Sequence, residues 1–196
     1  MLPALLCPSD VIAAATFTVP LSGSPATLTT YALGSYGGCA GSWSYHPNRL
    51  PAGTAYDGIL FIKSVVRERD VTDGTTNTLL FGERSHVDPL YKQWATTNAR
   101  SPMDQIGSWA PSTGVGGAGD VTMSTAVSIN YLHPSATAAN NNQFEDYRVS
   151  AFGSLHTGGA NFCMGDGSVR FIAENVAMPV FKSVGTRTGG EVVDDF

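Results

Sequence analysis

Charged residues and long apolar runs are both scarce in this sequence of 196 residues. Asp, Glu, Lys and Arg make up only 14% of it, and the formal net charge is -5. The 11 Lys and Arg residues are scattered, which argues against nucleic acid as a partner because phosphate binding needs clustered positive charge. No apolar run approaches the roughly 18 residues of a membrane-spanning helix. The opening is too short for a signal peptide and is interrupted by Pro3, so we expect neither a membrane span nor a signal peptide.

The composition favours a loop-rich, β-rich protein. The sequence has 22 glycines together with many Ser, Thr and Asn residues, which is typical of extracellular domains. Its length fits one domain with a sizeable core and would be cramped for two. We therefore predict a single α+β domain over residues 1–196, built mainly from short antiparallel strands with long ordered loops and one or two short helices.

Cysteine is limited to three residues, and no CxxC pair suggests a zinc site. Cys163 lies in the mostly apolar run Ala160–Met164, which is typical of a buried thiol. In an oxidising compartment this leaves Cys7 and Cys39 to form a disulfide, which in the chain-entropy account contributes roughly 3–4 kcal/mol. The alternative is three free thiols.

Local signals place several elements. Residues 161–164 and 168–172 alternate in polarity around Gly165-Asp166-Gly167, which predicts a β-hairpin. A helix is expected from about Glu174 or Asn175 to Val184, with Pro179 interrupting its first turn. Strands are also predicted at residues 16–19, 59–62 and 79–81, and residues 85–127 are expected to be mostly loop.

Several motifs occur in one order along almost the whole chain. They are Cys-Pro-Ser-Asp at residues 7–10, Tyr-Gly-Gly-Cys-Ala-Gly at residues 36–41, Asp-Val-Thr-Asp-Gly-Thr-Thr-Asn-Thr at residues 70–78, and His156 followed by nine residues and Asp166-Gly167. Together they resemble the prepilin-type H-X9-DG domain, a family of unknown function in bacterial, pseudopilin-like secreted proteins. Members of that family begin with a prepilin leader and a long apolar helix. The resemblance therefore implies that this chain is the globular C-terminal part, without the N-terminal pilin helix.

The motif residues are candidates for chemistry or for architecture. His156 precedes the hairpin and Asp166 lies in its turn, so the two are expected at opposite ends. We interpret Asp166 and Gly167 as turn residues, with His156 bonded to a neighbouring loop. The alternative is a catalytic role for His156, Asp166 or Glu83, with Glu83 as a general acid or base. No nucleophile motif of the Gly-x-Ser-x-Gly type is present.

A metal site is a second candidate. Asp70, Asp73 and Asn77 form an oxygen-rich group around a glycine, and hard cations such as calcium are bound by six to eight oxygens. The resemblance to pseudopilins, which often bind calcium, supports this hypothesis. The alternative is an ordinary turn and helix cap. No other cofactor is implied.

Further contacts are predicted for charged and aromatic residues. Glu83 and Arg84 are expected to pair with Arg187 and Glu191 and to hold down the C-terminal tail. Five aromatic residues in the N-terminal part of the chain form either a glycan-binding surface or part of the core: Tyr31, Tyr36, Trp43, Tyr45 and Tyr56. The other histidines (His46, His86 and His133) are interpreted as surface or capping residues.

The sequence thus predicts a non-catalytic, pseudopilin-like subunit at the cell surface, in a secretion apparatus or in the periplasm. It would act by self-association, by assembly with similar subunits, or by adhesion. The alternatives are an extracellular hydrolase acting on a glycan or ester, and a calcium-stabilised carbohydrate-binding module.

Overall fold

The computed structural model describes residues 2–12, 16–21, 24–43, 55–108, 121–135, 137 and 142–191. Within these ranges the strands are β1 (Thr16–Leu21), β2 (Ser24–Ala32), β3 (Tyr36–Cys39), β4 (Leu79–Glu83), β5 (Thr122–Met123), β6 (Gly159–Met164) and β7 (Val169–Ala173). The α-helices are α1 (Pro89–Thr97), α2 (Asn142–Ser150) and α3 (Met178–Gly185). Short 3₁₀ turns lie at Pro3–Leu5, Glu68–Asp70 and Met103–Gln105. The predicted α+β class is confirmed, with three short helices in the described ranges where one or two were expected.

The strands form two sheets. β1 and β2 make an antiparallel hairpin, and the other five strands form a sheet in the order β5-β3-β4-β6-β7. β3 pairs parallel with β5, whereas the remaining pairs of the five-stranded sheet are antiparallel. β7 therefore lies at one edge of the five-stranded sheet.

The predicted C-terminal hairpin and helix are both present. Met164 donates its backbone N–H to Ser168 across the turn, and Gly167 adopts a φ of 84°, which favours glycine. Helix α3 begins only at Met178, because Pro179 fits the first turn of a helix but not its interior. Glu174 and Asn175 form a separate turn, closed by the Val176 N–H to Ala173 C=O hydrogen bond at 3.0 Å, as the sequence indicated.

The main core lies between one face of the five-stranded sheet and α3. Phe162 from β6 meets Phe152 and Phe181 edge to face, with ring centroids 5.1 and 5.9 Å away. A second apolar cluster joins α1 to α2 through Trp94 and Val149. The β7 residue Ile172 points into the main core, so this sheet face is buried.

Helix α1 falls within residues 85–127, which the sequence predicted to be mostly loop. Asp88 caps α1 by accepting the Tyr91 backbone N–H at 2.9 Å, and Pro89 occupies the first turn. Buried Trp94 and Ala95 recur at helical spacing after Tyr91. This pattern was readable in the sequence. Helix α2 is not among the elements predicted from the sequence.

The strand predicted at residues 59–62 is wrong. Its backbone makes bends and a turn, and it contacts β3 through single hydrogen bonds such as Leu60 N–H to Cys39 C=O at 2.9 Å. β3 already pairs with β4 on one side and β5 on the other, so no ladder position is free for this apolar segment.

The outer face of the five-stranded sheet carries exposed apolar side chains. Because directly paired residues share a face, the pairs Phe81–Cys163 and Cys163–Val169 place all three on the side opposite the core. No helix in the described ranges is long and apolar enough to cross a bilayer.

Candidate functional site

A pocket of about 360 Å³ lies on the outer face of the five-stranded sheet. Strands β3, β4 and β6 supply its floor, and the N-terminal segment and the loop before β6 supply its sides. The lining residues are Cys7, Pro8, Tyr36, Phe81, Gly82, Glu83, His156, Asn161, Phe162, Cys163 and Val169. Its volume is at the lower end of the range for small-ligand sites.

Three different side chains meet in this pocket. Cys7 Sγ lies 3.3 Å from Glu83 Oε1 and 3.5 Å from His156 Nε2, and His156 Nε2 lies 3.3 Å from the same Glu83 oxygen. All three side chains carry atoms that can bind a metal ion. Within the described part of the chain, they form a group whose potential ligand atoms all lie within 4.8 Å of one another. Cys7 and Glu83 are buried, while His156 is partly exposed to the pocket.

Glu83 is held from the opposite side by β6. Its Oε2 accepts the backbone N–H of Asn161 at 2.7 Å, and the Asn161 side-chain amide donates to both carboxylate oxygens at 3.3 and 3.4 Å. These bonds fix the carboxylate so that Oε1 faces Cys7 and His156. The antiparallel pairing of β4 with β6 therefore sets the position of this acid.

Cys7 and His156 reach the pocket from loops. Cys7 follows the 3₁₀ turn Pro3–Leu5, and its Sγ lies 3.0 Å from Ser9 Oγ. His156 donates its backbone N–H to Ser154 Oγ at 3.2 Å, just before β6 begins. Two loops and one strand thus converge on a single point.

Tyr36 completes the polar side of the pocket. Burial raises the pKa of its hydroxyl, and the neighbouring Cys7 and Glu83 side chains raise it further. Tyr36 therefore presents a protonated hydroxyl that can donate a hydrogen bond.

The arrangement differs from a nucleophilic triad. In such a triad the acid binds one imidazole nitrogen and the nucleophile binds the other, so that a proton can pass through the ring. Here Cys7 and Glu83 both face Nε2 of His156. The three donor atoms surround a common point instead of forming a relay.

Of the catalytic candidates, the structure brings together His156 and Glu83 but not Asp166. Asp166 accepts the backbone N–H and the hydroxyl of Ser168 at 2.8 and 2.7 Å within the exposed hairpin turn. These hydrogen bonds lower the pKa of its carboxyl. The His-X9-Asp-Gly motif therefore joins a pocket residue, His156, to a turn built by Asp166 and Gly167.

The predicted Cys7–Cys39 disulfide is not formed, and all three cysteines are free thiols. Cys7 belongs to the pocket, whereas Cys39 is fully buried in the main core and donates to Gly185 C=O at 3.8 Å. Burial raises the pKa of Cys39 to about 12, so this thiol stays protonated. Cys163 lies on the outer face of β6 and is partly exposed instead of buried.

The three residues proposed as a calcium loop have separate roles. Asp73 accepts the backbone N–H groups of Gly189 and Gly190 at 2.7 and 2.9 Å. Asp70 accepts the backbone N–H of Arg67 at 2.9 Å. Asn77 donates its side-chain amide to the Asp73 carbonyl at 3.3 Å. The predicted oxygen cluster is therefore used to close a turn and to hold the C-terminal segment.

The predicted pairing of Glu83 with Arg187 is also not formed. Arg187 donates to the carbonyls of Tyr56 and Gly58 at 2.9 and 2.7 Å and lies over the Phe61 ring. Glu191 is exposed at the end of the described C-terminal range. Arg187 thus does hold down the C-terminal tail, but through backbone carbonyls.

The N-terminal aromatic residues are divided among several surroundings. Tyr36 lines the pocket and Trp43 is exposed, while Tyr31 stacks on Phe17 and Tyr56 stacks on Phe61. Tyr45 lies outside the described residues, as does His46. His86 and His133 were predicted to be surface or capping residues, and the surface alternative is wrong because both are buried.

Sequence reasoning missed Cys7 and Asn161 as site residues. Cys7 is 76 residues from Glu83 and 149 from His156, so no local pattern links them. The motif at residues 7–10 contains Cys7, and the His-X9-Asp-Gly motif contains both His156 and Asn161, so these two motifs were the available signals.

The fold and site define an α+β domain with a Cys, Glu and His pocket on the open face of its main sheet. The family model described as "Protein of unknown function (DUF1559)" matches residues 1–178, and the chain belongs to this family. No match was found among curated proteins or among solved structures.

Proposed function

We propose that this protein is a non-catalytic, pseudopilin-like subunit that assembles with copies of itself through the outer face of its five-stranded sheet. The role is proposed for the cell surface or a secretion apparatus. Two sequence features support it: the low charge with abundant Gly, Ser and Thr, and the resemblance to prepilin-type H-X9-DG proteins.

One observation carries the proposal. The outer face exposes four large apolar side chains from β3, β4 and β7: Tyr36 (37% exposed), Phe81 (43%), Val169 (70%) and Phe171 (48%). The register of the sheet places them on one surface. Contiguous exposed apolar patches on water-soluble domains mark interaction surfaces, because covering them removes apolar area from water.

The edge strand adds to this surface. β7 is the last strand of the sheet order, and within the described ranges no strand pairs with its outer side. Such an edge offers free backbone N–H and C=O groups to a second copy. Val169 and Phe171 lie on this same strand, so backbone pairing and apolar contact would involve one segment.

Sedimentation velocity over a range of protein concentrations tests the proposal. We expect the wild-type protein to self-associate and Val169→Lys to shift the equilibrium towards the monomer. Val65→Lys is the matched control, since Val65 is 87% exposed but does not belong to the sheet. A wild-type protein that stays monomeric, or equal effects of the two substitutions, would contradict the proposed surface.

A further inference from the structure

We propose that Cys7, Glu83 and His156 form a zinc site with three protein ligands and a fourth coordination position supplied from the pocket. This inference concerns a function separate from self-association, and it gives a role to the side chains that meet beside the apolar surface.

The separations between the three donor atoms are those of a zinc coordination sphere. Zinc binds His nitrogen at about 2.0–2.1 Å, Cys sulfur at about 2.3 Å and carboxylate oxygen at about 2.0–2.2 Å, with tetrahedral geometry. Tetrahedral angles at these lengths put the donor atoms roughly 3.3–3.6 Å apart. The observed separations are 3.3, 3.5 and 3.3 Å. An ion can thus be bound with little movement of the side chains.

The donor types select a transition metal over calcium or magnesium. Calcium and magnesium prefer sites made entirely of oxygen, whereas a thiolate and an imidazole favour zinc and similar ions. Cys7, Glu83 and His156 supply one sulfur, one oxygen and one nitrogen. Three protein ligands with an accessible fourth position are characteristic of open zinc sites.

The direction of the histidine supports metal binding over nucleophilic catalysis. Nε2 of His156 faces both the Cys7 sulfur and the Glu83 oxygen. A triad of nucleophile, general base and acid would need the acid at the other ring nitrogen. The Cys7, Glu83 and His156 donor atoms instead face one point, as the ligands of a single metal ion do.

Neighbouring hydrogen bonds orient the ligands. The short Asn161 backbone N–H bond at 2.7 Å goes to Glu83 Oε2, whereas Oε1 accepts from Asn161 only the longer 3.3 Å contact of the side-chain amide and keeps a lone pair for the metal. Ser9 Oγ lies 3.0 Å from Cys7 Sγ, where its hydroxyl can donate to the thiolate. Outer contacts of this kind fix ligand orientation and raise metal affinity.

Metal titration of the purified, reduced and chelator-treated protein tests the site. We expect one equivalent of Zn²⁺ to bind and to raise the melting temperature. Co²⁺ should give the near-ultraviolet thiolate-to-cobalt band and the visible bands of a tetrahedral ion. Each ligand variant should bind zinc more weakly than wild type: Cys7→Ser, Glu83→Gln and His156→Gln. The loss of affinity should exceed the roughly 10–100-fold that follows when only a hydrogen bond to a ligand is removed. Cys7→Ser should also abolish the thiolate-to-cobalt band.

Cys163→Ser is the matched control, because Cys163 lines the same pocket but lies outside the ligand group. It should retain the band and the affinity. Metal-free melting temperatures identify variants that fail to fold, and Glu83→Gln keeps the side-chain size and an acceptor for Asn161. Absence of stoichiometric binding, a thiolate band that survives in Cys7→Ser, or its loss in Cys163→Ser would overturn the proposal. Val169 and Phe171 are unchanged in all these variants, so a loss of the thiolate band reports on the ligand atoms and not on removal of the apolar surface proposed for self-association.

Discussion

The His86 imidazole and the Asp10 carboxylate form a hydrogen bond shielded from solvent, with Nδ1 2.6 Å from Oδ2. The other ring nitrogen lies 2.9 Å from the Ile106 carbonyl, so both nitrogens face acceptors and each is satisfied when it carries a proton. Asp10 also accepts the Ser35 hydroxyl at 2.8 Å. These bonds attach the N-terminal segment to the regions flanking β3 and β4. Cys7, three residues earlier, is thereby held near Glu83.

Asp10→Asn should therefore destabilise the protein substantially. Asn has a single acceptor oxygen, so it cannot serve the His86 ring, the His86 backbone N–H and the Ser35 hydroxyl together, and a buried donor left without an acceptor costs about 1–3 kcal/mol. Urea denaturation at neutral pH measures the loss. Because the segment carrying Cys7 would be loosened as well, zinc affinity should fall in this variant. A loss of stability below about 1 kcal/mol would show that the pair behaves like a surface contact.

The same pair predicts a pH dependence. Burial alone raises the pKa of the Asp10 carboxyl, but hydrogen bonds and positive charge from His86 outweigh burial and hold this pKa below its ordinary value of 3.8. A carboxyl whose pKa is lower in the folded state contributes stability above its unfolded pKa of about 4, and this contribution is lost as the pH falls through the folded pKa. The stability difference between wild type and Asp10→Asn should shrink below about pH 4. Urea titrations at a series of pH values check this, and a constant difference would contradict it.

Arg148→Met should lower the free energy of unfolding by more than the substitution of an exposed arginine does. Arg148 Nε donates to Asp88 Oδ2 at 2.7 Å, with both side chains buried, and Arg148 Nη2 donates to the Ser85 carbonyl at 3.0 Å. Loss of the guanidinium should cost about 3–5 kcal/mol because Asp88 keeps a buried charge. Arg69→Met, which removes an exposed pair with Asp70, should cost about 0–1 kcal/mol. Equal unfolding free energies for the two variants would contradict the assigned network.

Gly82→Ala should destabilise the sheet next to Glu83. A Cβ at this position would lie 2.6 Å from ring atoms of both Phe152 and Phe162. Both rings are fully or almost fully buried and cannot move away freely, so overpacking should cost about 1–3 kcal/mol. Thermal or chemical denaturation measures this loss. An unchanged free energy of unfolding would contradict this prediction, because it would mean that the core around Phe152 and Phe162 can accommodate the added methyl group.

Asp73→Ala and Asp70→Ala should act on different parts of the backbone. Asp73 accepts the N–H groups of Gly189 and Gly190, so its removal should accelerate hydrogen exchange at those two amides. Asp70→Ala should instead affect the Arg67 amide. Hydrogen exchange monitored residue by residue separates the two. If both variants changed hydrogen exchange at the same amides, the separate roles would be contradicted, and a shared cluster of Asp70, Asp73 and Asn77 would be favoured instead.

The sequence predicted the C-terminal hairpin and α3 because their signals are local. Gly165-Asp166-Gly167 forms a turn between alternating strands, and Pro179 limits where the helix can begin. Helix α1 was predictable by the same means, since Asp88-Pro89 is an N-cap and first-turn signal, but its apolar spacing was not recognised. The strand at residues 59–62 was wrong because an apolar run does not indicate whether a sheet position is free.

The sequence by itself determined the α+β class, the turn role of Asp166 and the inclusion of His156 and Glu83 among the candidates. Only the tertiary structure decided that these two meet Cys7, because the pairing of β4 with β6 and the anchoring of Asp10 by His86 act across distant segments. The tertiary structure likewise separated Cys7 from Cys39, one at the pocket and one in the core. Turns and helix ends depend on neighbouring residues, whereas a site built from three segments depends on strand register and core packing.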